Sequence, residues 1–322
     1  MAVMRLIRLP NLLIILFTLY SIRHLILGPV LASWGMSLNI THFDFSLLSF
    51  SIVLIAAGGY VINDYFDQKT DRINRPGEVI VGRSIPRRTA MAAHIILNTI
   101  GVLAGIYLSW KYGLFILGSM IFIFTSSALW FYSVDFKKRM LVGNLVIAIL
   151  AGLIPLLPLV YETPLLGKNY RDVFLANHHS FSSLIKIIGV FSFFAFWFTL
   201  AREIVKDMED FEGDLAAGGK TLPIRAGKKT STWIVFILSL AGFILLTIGQ
   251  IALYDSYGGF WASTYIALLQ ILLILFLWLL FKASSPAEYR KAGTVLKIFM
   301  LAGISFCFVF WWLLKSGIWE LS

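Results

Sequence analysis

The sequence predicts an all-α protein: a polytopic membrane bundle of nine transmembrane helices, with residues 1–322 forming a single integral-membrane domain. Three observations predict it. First, 59% of the 322 residues are hydrophobic and only 14% are charged, whereas soluble domains carry about 25% charged residues. Second, the apolar residues fall into nine runs, each close to the roughly 20 residues a helix needs to cross the hydrocarbon core. Third, the basic residues collect in alternate loops, as expected of a chain threaded back and forth through a bilayer.

Taken in order, the runs cover 11–34, 46–64, 88–109, 112–133, 139–160, 181–204, 231–253, 259–281 and 293–315. No small-residue cleavage site follows the first, so it reads as a retained helix rather than a signal peptide. The N-terminus carries Arg5 and Arg8. The loop after the second run carries Lys69, Arg72, Arg75, Arg83, Arg87 and Arg88, and the loop after the fourth carries Lys137, Lys138 and Arg139. Arg202, Lys206, Lys220, Arg225, Lys228 and Lys229 flank the sixth-to-seventh connection; Lys282, Arg290 and Lys291 flank the eighth-to-ninth. The positive-inside rule therefore places the N-terminus and these loops in the cytoplasm, at the cell membrane, with the C-terminus outside. The net charge of +10 suits an anionic inner leaflet or anionic substrates. Nucleic acid is a poor partner, because the basic residues sit in short loops between spans. The one cysteine, Cys307, excludes an intrachain disulfide and a cysteine-based zinc site.

Acidic residues contribute little to topology, yet twelve of the 17 carboxylates lie on the same side as the basic loops. One group follows the second run: Asn63-Asp64-Tyr65-Phe66-Asp67-Gln68-Lys69-Thr70-Asp71. Asn63, Asp67 and Asp71 are four apart, so on a continuing helix they turn by only about 40° per step and share a face, with Asp64 at its edge. The second group ends the sixth run. There Glu203, Asp207, Asp210 and Asp214 fall within roughly 60° of one another, while Glu209 and Glu212 point away. Crowded carboxylates repel unless a cation lies between them. Hard oxygen donors suit Mg²⁺, which takes one or two carboxylates and completes its shell with water and phosphate oxygens. An even number of crossings separates the groups, so a bundle can bring both to one cavity, where they could hold a Mg²⁺–diphosphate.

The string Asn63-Asp64-x-x-Asp67-x-x-x-Asp71, followed by Asn74-Arg75-Pro76 and Gly82-Arg83, resembles the first signature of the UbiA superfamily of intramembrane prenyltransferases. Asp207-x-x-Asp210-x-x-x-Asp214 resembles the second, and Arg8-Leu9-Pro10-Asn11 the family's opening. The local string around Asn63–Pro76 is most similar to the branch that prenylates geranylgeranylglyceryl phosphate, although Val79-Ile80-Val81-Gly82-Arg83 departs from the Pro-Ile-Pro-x-Gly-Arg of archaeal members.

The resemblance implies a UbiA-like fold and Mg²⁺-dependent transfer of a prenyl group, here geranylgeranyl, from its diphosphate to a lipid acceptor. Asn63, Asp67 and Asp71, with Asp64 beside them, are the expected ligands of one Mg²⁺, and Asp207, Asp210 and Asp214 of another. Asp67, Asp71, Asp210 and Asp214 carry the catalytic role. Arg72, Arg75, Arg83, Lys137 and Lys206 are candidates for diphosphate oxygens or an anionic acceptor head. Tyr132 and Lys137 fall where the family places a Tyr and a Lys after its fourth helix. Two alternatives stand beside this reading: an aromatic acceptor of the quinone, haem or chlorophyll type, and, more distantly, a transporter. Against the transporter, the acids gather at one membrane surface instead of near the midplane.

Overall fold

The computed structural model describes residues 2–176, 178–254 and 259–318. Among them, nine helices are long and apolar enough to cross a membrane: α1 (Leu9–Ser33), α2 (His42–Phe66), α3 (Arg87–Lys111), α4 (Phe115–Val134), α5 (Val142–Asn169), α6 (Phe181–Glu209), α7 (Lys228–Tyr254), α8 (Gly259–Lys282) and α9 (Pro286–Lys315). Each expected run falls on one of them.

Two helices outrun the sequence-based bounds by the most, for local reasons. The ninth helix starts at Pro286 because Ser285 and Glu288 form a reciprocal capping box, with Pro286 as the first helical residue. The fifth continues past residue 160 to Asn169 because its next turn is anchored. Tyr161 Oη lies 2.7 Å from Ser109 Oγ, and the buried carboxylate of Glu162 accepts from the amides of Asn39 and Ile40. Glu162 also lies 3.8 Å from the Arg23 guanidinium, with both side chains almost fully buried. An apolar-run count cannot see this, since the anchoring residues are polar.

The helices close a ring. In it α1 packs on α2, α2 on α4, α4 on α5, α5 on α6, α6 on α9, and α9 back on α1, with α7 and α8 against α6 and α9. Helix α3 stands outside, in the groove between α2 and α4. Its approach depends on two glycines a turn apart. A Cβ at Gly101 would meet the Ser51 carbonyl of α2 at 2.9 Å, and one at Gly105 would meet the Phe122 ring of α4 at 2.4 Å. Small residues of this kind let helices come together in lipid, where the hydrophobic effect does not drive association.

The ring encloses a cavity of about 1230 Å³, lined by every long helix except α3. That exceeds the roughly 300–1,000 Å³ of an ordinary small-molecule pocket. Its wall is mostly apolar, with Phe194, Phe198, Phe299, Phe306 and Phe310 among the lining side chains.

Candidate active site

Both acidic groups sit where a long helix hands over to a short one. Helix α2 ends at Phe66, Asp67 is the junction, and a short helix runs over Gln68–Asn74. The backbone ladder does not break there: the Asp67 amide donates to Asn63 O at 2.9 Å and the Asp71 amide to Asp67 O at 2.8 Å. Asn63, Asp67 and Asp71 therefore stay in register on one face, as their spacing predicts. The end of α6 repeats the device. Asp210 is the junction to the helix Phe211–Ala216, and the amides of Asp210 and Asp214 donate to the carbonyls of Lys206 and Asp210 at 2.9 and 3.1 Å.

The two short helices lie against each other. The Asn74 carboxamide donates to Asp210 O at 3.0 Å and accepts from the Gly213 amide at 2.8 Å. A Cβ on Gly213 would strike the Asn74 side chain at 2.5 Å, so the approach requires glycine. Arg75 then crosses between the groups, 2.8 Å from Asp210 Oδ1 and 2.8 Å from Glu209 Oε1. A third element closes the site: the turn Phe136–Lys138 after α4 is held by a 2.7 Å bond from the Lys220 amide to Lys138 O. It brings the Lys137 ammonium onto Asp67.

Asn63, Asp67, Asp71, Asp207, Asp210 and Asp214 consequently line a single small polar pocket, shared with Tyr132, Lys137 and Lys206. Asn63, Tyr132 and Lys206 also line the large apolar cavity. They form the threshold between an acidic mouth and a greasy chamber.

The remaining expected residues lie elsewhere. Asp64 does not line the pocket; it turns to Arg8, 3.0 Å away. Arg72 and Arg83 are exposed and line neither chamber. Glu212 is exposed, as its spacing predicts. Glu209 is not turned out to solvent. It is only 11% exposed and held by both Arg75 and Arg290, because these arginines arrive from other elements at the point where α6 ends. Asn144 escaped the sequence reading. It donates to Asp207 Oδ2 at 2.9 Å, and its one signal was a lone carboxamide in an apolar run, a feature that marks polar work inside membranes.

The electrostatics follow from crowding. Asp71 is pushed up to about 6, first by burial and then by Asp67, Asp64 and Asp210. Asp214 is pushed up to about 7 by burial and by Asp210. Burial also raises Asp210, against the pull of Lys206 and Arg75, and lowers the Lys137 amine despite its Asp67 partner. Carboxylates driven to hold protons near neutrality are a donor set awaiting a cation. All these donors are hard oxygens, which fits Mg²⁺. Among the described residues no three Asp, Glu, His or Cys side chains already converge on one point. Mg²⁺ does not need them to, because water and phosphate oxygens complete its octahedron.

The UbiA prenyltransferase family profile matches residues 25–314. The chain belongs to that family. It is thereby a multi-pass membrane prenyltransferase. Its relatives include the digeranylgeranylglyceryl phosphate synthase of Methanothermobacter thermautotrophicus, 33% identical over 270 residues, which span 82% of this chain and 85% of that protein. A solved structure concerning digeranylgeranylglyceryl phosphate synthase is 28% identical and superposes with a TM-score of 0.58, covering 96% of this chain and 98% of the other. A UbiA homolog from Archaeoglobus fulgidus bound to DMAPP and Mg²⁺ shares the fold, with a TM-score of 0.55 at 16% identity over 96% and 99% of the two chains. In this UbiA member the helical order is thus part of a family architecture.

Proposed function

We propose that this UbiA member transfers a geranylgeranyl group from geranylgeranyl diphosphate to the free hydroxyl of geranylgeranylglyceryl phosphate, with Mg²⁺, at the cytoplasmic face of the cell membrane. The observation that carries this is the threshold: one polar pocket with acids from both junctions opens, through Asn63, Tyr132 and Lys206, onto an apolar cavity of about 1230 Å³. A diphosphate with a long isoprenoid tail has that shape and polarity. The names of the relatives support the acceptor, and the A. fulgidus protein, bound to DMAPP and Mg²⁺, is in keeping with a divalent metal. The basic loops support the orientation.

Asn63, Asp67 and Asp71 on one side, and Asp207, Asp210 and Asp214 on the other, would hold the metal. When bound, Mg²⁺ neutralises the diphosphate and polarises its leaving oxygen. The chain's own groups do the rest. Lys137 and Lys206 face the pocket and supply fixed positive charge where negative charge builds on the leaving group. Arg75 ties the two junctions, so the donors keep their spacing. The phenylalanine-rich wall keeps water from the allylic carbon as its bond to the diphosphate oxygen breaks. The acceptor oxygen forms the new bond to that carbon, its hydroxyl proton is released, and diphosphate departs.

The test is a transfer assay with purified protein, Mg²⁺ and radiolabelled geranylgeranyl diphosphate, offered geranylgeranylglyceryl phosphate, 4-hydroxybenzoate and a naphthoate. Label in digeranylgeranylglyceryl phosphate supports the proposal. Label only in an aromatic product overturns the acceptor, and no label in any product overturns the reaction.

A further inference from the structure

The acidic mouth leaves a second set of charges unexplained. Arg8 stands at the entry to α1, Arg202 on α6 and Lys297 on α9. All three line the large cavity and none lines the acidic pocket. They form one electrostatic neighbourhood, since Arg8 and Arg202 are the charged groups nearest in effect to Lys297. Their compensation is incomplete. Arg8 pairs with Asp64 at 3.0 Å, and Arg202 pairs with Glu203 at 3.0 Å. Lys206, the next cation along α6, must share Glu203 from 3.9 Å. Among the described residues Lys297 pairs with no carboxylate; its ammonium donates only to the neutral carboxamide of Asn11, at 2.6 Å. Of the three cations, Lys297 thus has no carboxylate partner and Arg202 shares Glu203 with Lys206, so this part of the cavity wall carries net positive charge.

Excess positive charge within a membrane bundle is costly and marks a ligand or an ion path. Resting on the function proposed above, we infer that Arg8, Arg202 and Lys297 are the seat of the acceptor's phosphate monoester, separate from the pocket that takes the donor's diphosphate. A phosphate monoester carries about −1.5 to −2 at neutral pH and three strong acceptor oxygens, opposite in sign to the positive charge of Arg8, Arg202 and Lys297 and with oxygens enough to take a donor from each. Arginine is suited to it through its forked donors, and lysine as a compact charge.

The placement also suits the reaction. Arg202 and Lys206 are four residues apart on α6, so they share a face and differ by about 6 Å along the axis. Lys206 stands at the threshold, where the reacting carbon of the donor lies. A phosphate held one turn deeper leaves the glycerol hydroxyl, a few bonds away, at the threshold, while the acceptor's own prenyl tail stays in the cavity. Two anionic substrates are then kept apart by Lys206 and Tyr132 and do not compete for the same cations. The seat makes phosphate, not ring shape, the feature by which the acceptor is recognised.

The experiment uses the full chain in detergent or nanodiscs, with Lys297→Met and Arg202→Gln as variants and Lys297→Arg as the conservative control. In transfer assays with both substrates varied, the two variants raise the acceptor KM by about tenfold or more, leave the donor KM within about twofold, and Lys297→Arg recovers most of the loss. Equal effects on both KM values, or an unchanged acceptor KM, overturn the seat. A second measurement needs no turnover: metal-free protein is titrated with geranylgeranylglyceryl phosphate and with the same glycerol ether lacking phosphate. Wild type binds the phosphorylated form about tenfold more tightly and Lys297→Met binds the two alike. Equal binding of both ligands by wild type overturns the seat even if the variants fold poorly. Failure of wild type to prenylate the phosphate acceptor, with the binding preference intact, instead overturns the proposed acceptor reaction.

Discussion

Arg75 and Asp210 meet at 2.8 Å although they belong to different membrane crossings, 135 residues apart in the chain. The contact joins the short helix that prolongs α2 to the one that prolongs α6. It converts two acidic helix ends, each unremarkable alone, into facing walls of one pocket.

The acids that line this pocket should be indispensable to transfer but not to insertion. Asp67→Asn and Asp210→Asn each remove charge from the donor set and leave the apolar spans untouched. We expect transfer from geranylgeranyl diphosphate to fall by about 10²–10³, with membrane expression and detergent-extracted yield unchanged. Near-normal rates in either variant would contradict the assignment.

Glu209 and Glu212 should separate. Glu209 holds Arg75 and Arg290 at 2.8 Å each, whereas Glu212 is exposed. Glu209→Gln weakens a partly buried charged pair and is expected to cost about 1.5–3 kcal/mol of stability, read as a lower Tm, together with weaker donor binding. Glu212→Gln should be neutral in both measurements.

The metal response should depend on pH. The carboxyls of Asp71, at about 6, and Asp214, at about 7, lie above their ordinary value of 3.8. A group whose folded pKa is raised adds stability in full below its unfolded pKa and loses it as pH climbs through the folded value. The metal-free protein should therefore lose stability between pH about 4 and about 7. Mg²⁺ competes with those protons, so its binding strengthens across the same window. Thermal scans with and without Mg²⁺ should show a small Tm increment at pH about 5.5 and a larger one at about 8. An increment that shrinks with rising pH would mean these carboxyls do not face the metal.

Chain-length selection should lie in the cavity. Gly303 on α9 lines it, and a Cβ there meets nothing within 4 Å, so a side chain added at this position starts out in open space. Gly303→Phe is expected to lower the preference for geranylgeranyl over geranyl diphosphate by about tenfold, measured as a ratio of kcat/KM values. An unchanged ratio would place the donor's tail elsewhere.

The number and order of the spans, and the alignment of Asn63, Asp67 and Asp71 on one face, were determined by the sequence alone. Bilayer thickness sets the length of an apolar run, and the i to i+4 repeat sets which side chains share a face; both are local rules. The backbone ladder through Asp67 and Asp210 obeys them without interruption. The partner of each charge was decided only by tertiary structure. Asp64 goes to Arg8, Asp207 to Asn144 and Glu209 to Arg75 and Arg290. Local periodicity says nothing about neighbours that arrive from other helices. The cavity has the same origin: its walls come from eight helices, and the space between them exists only once the ring has closed.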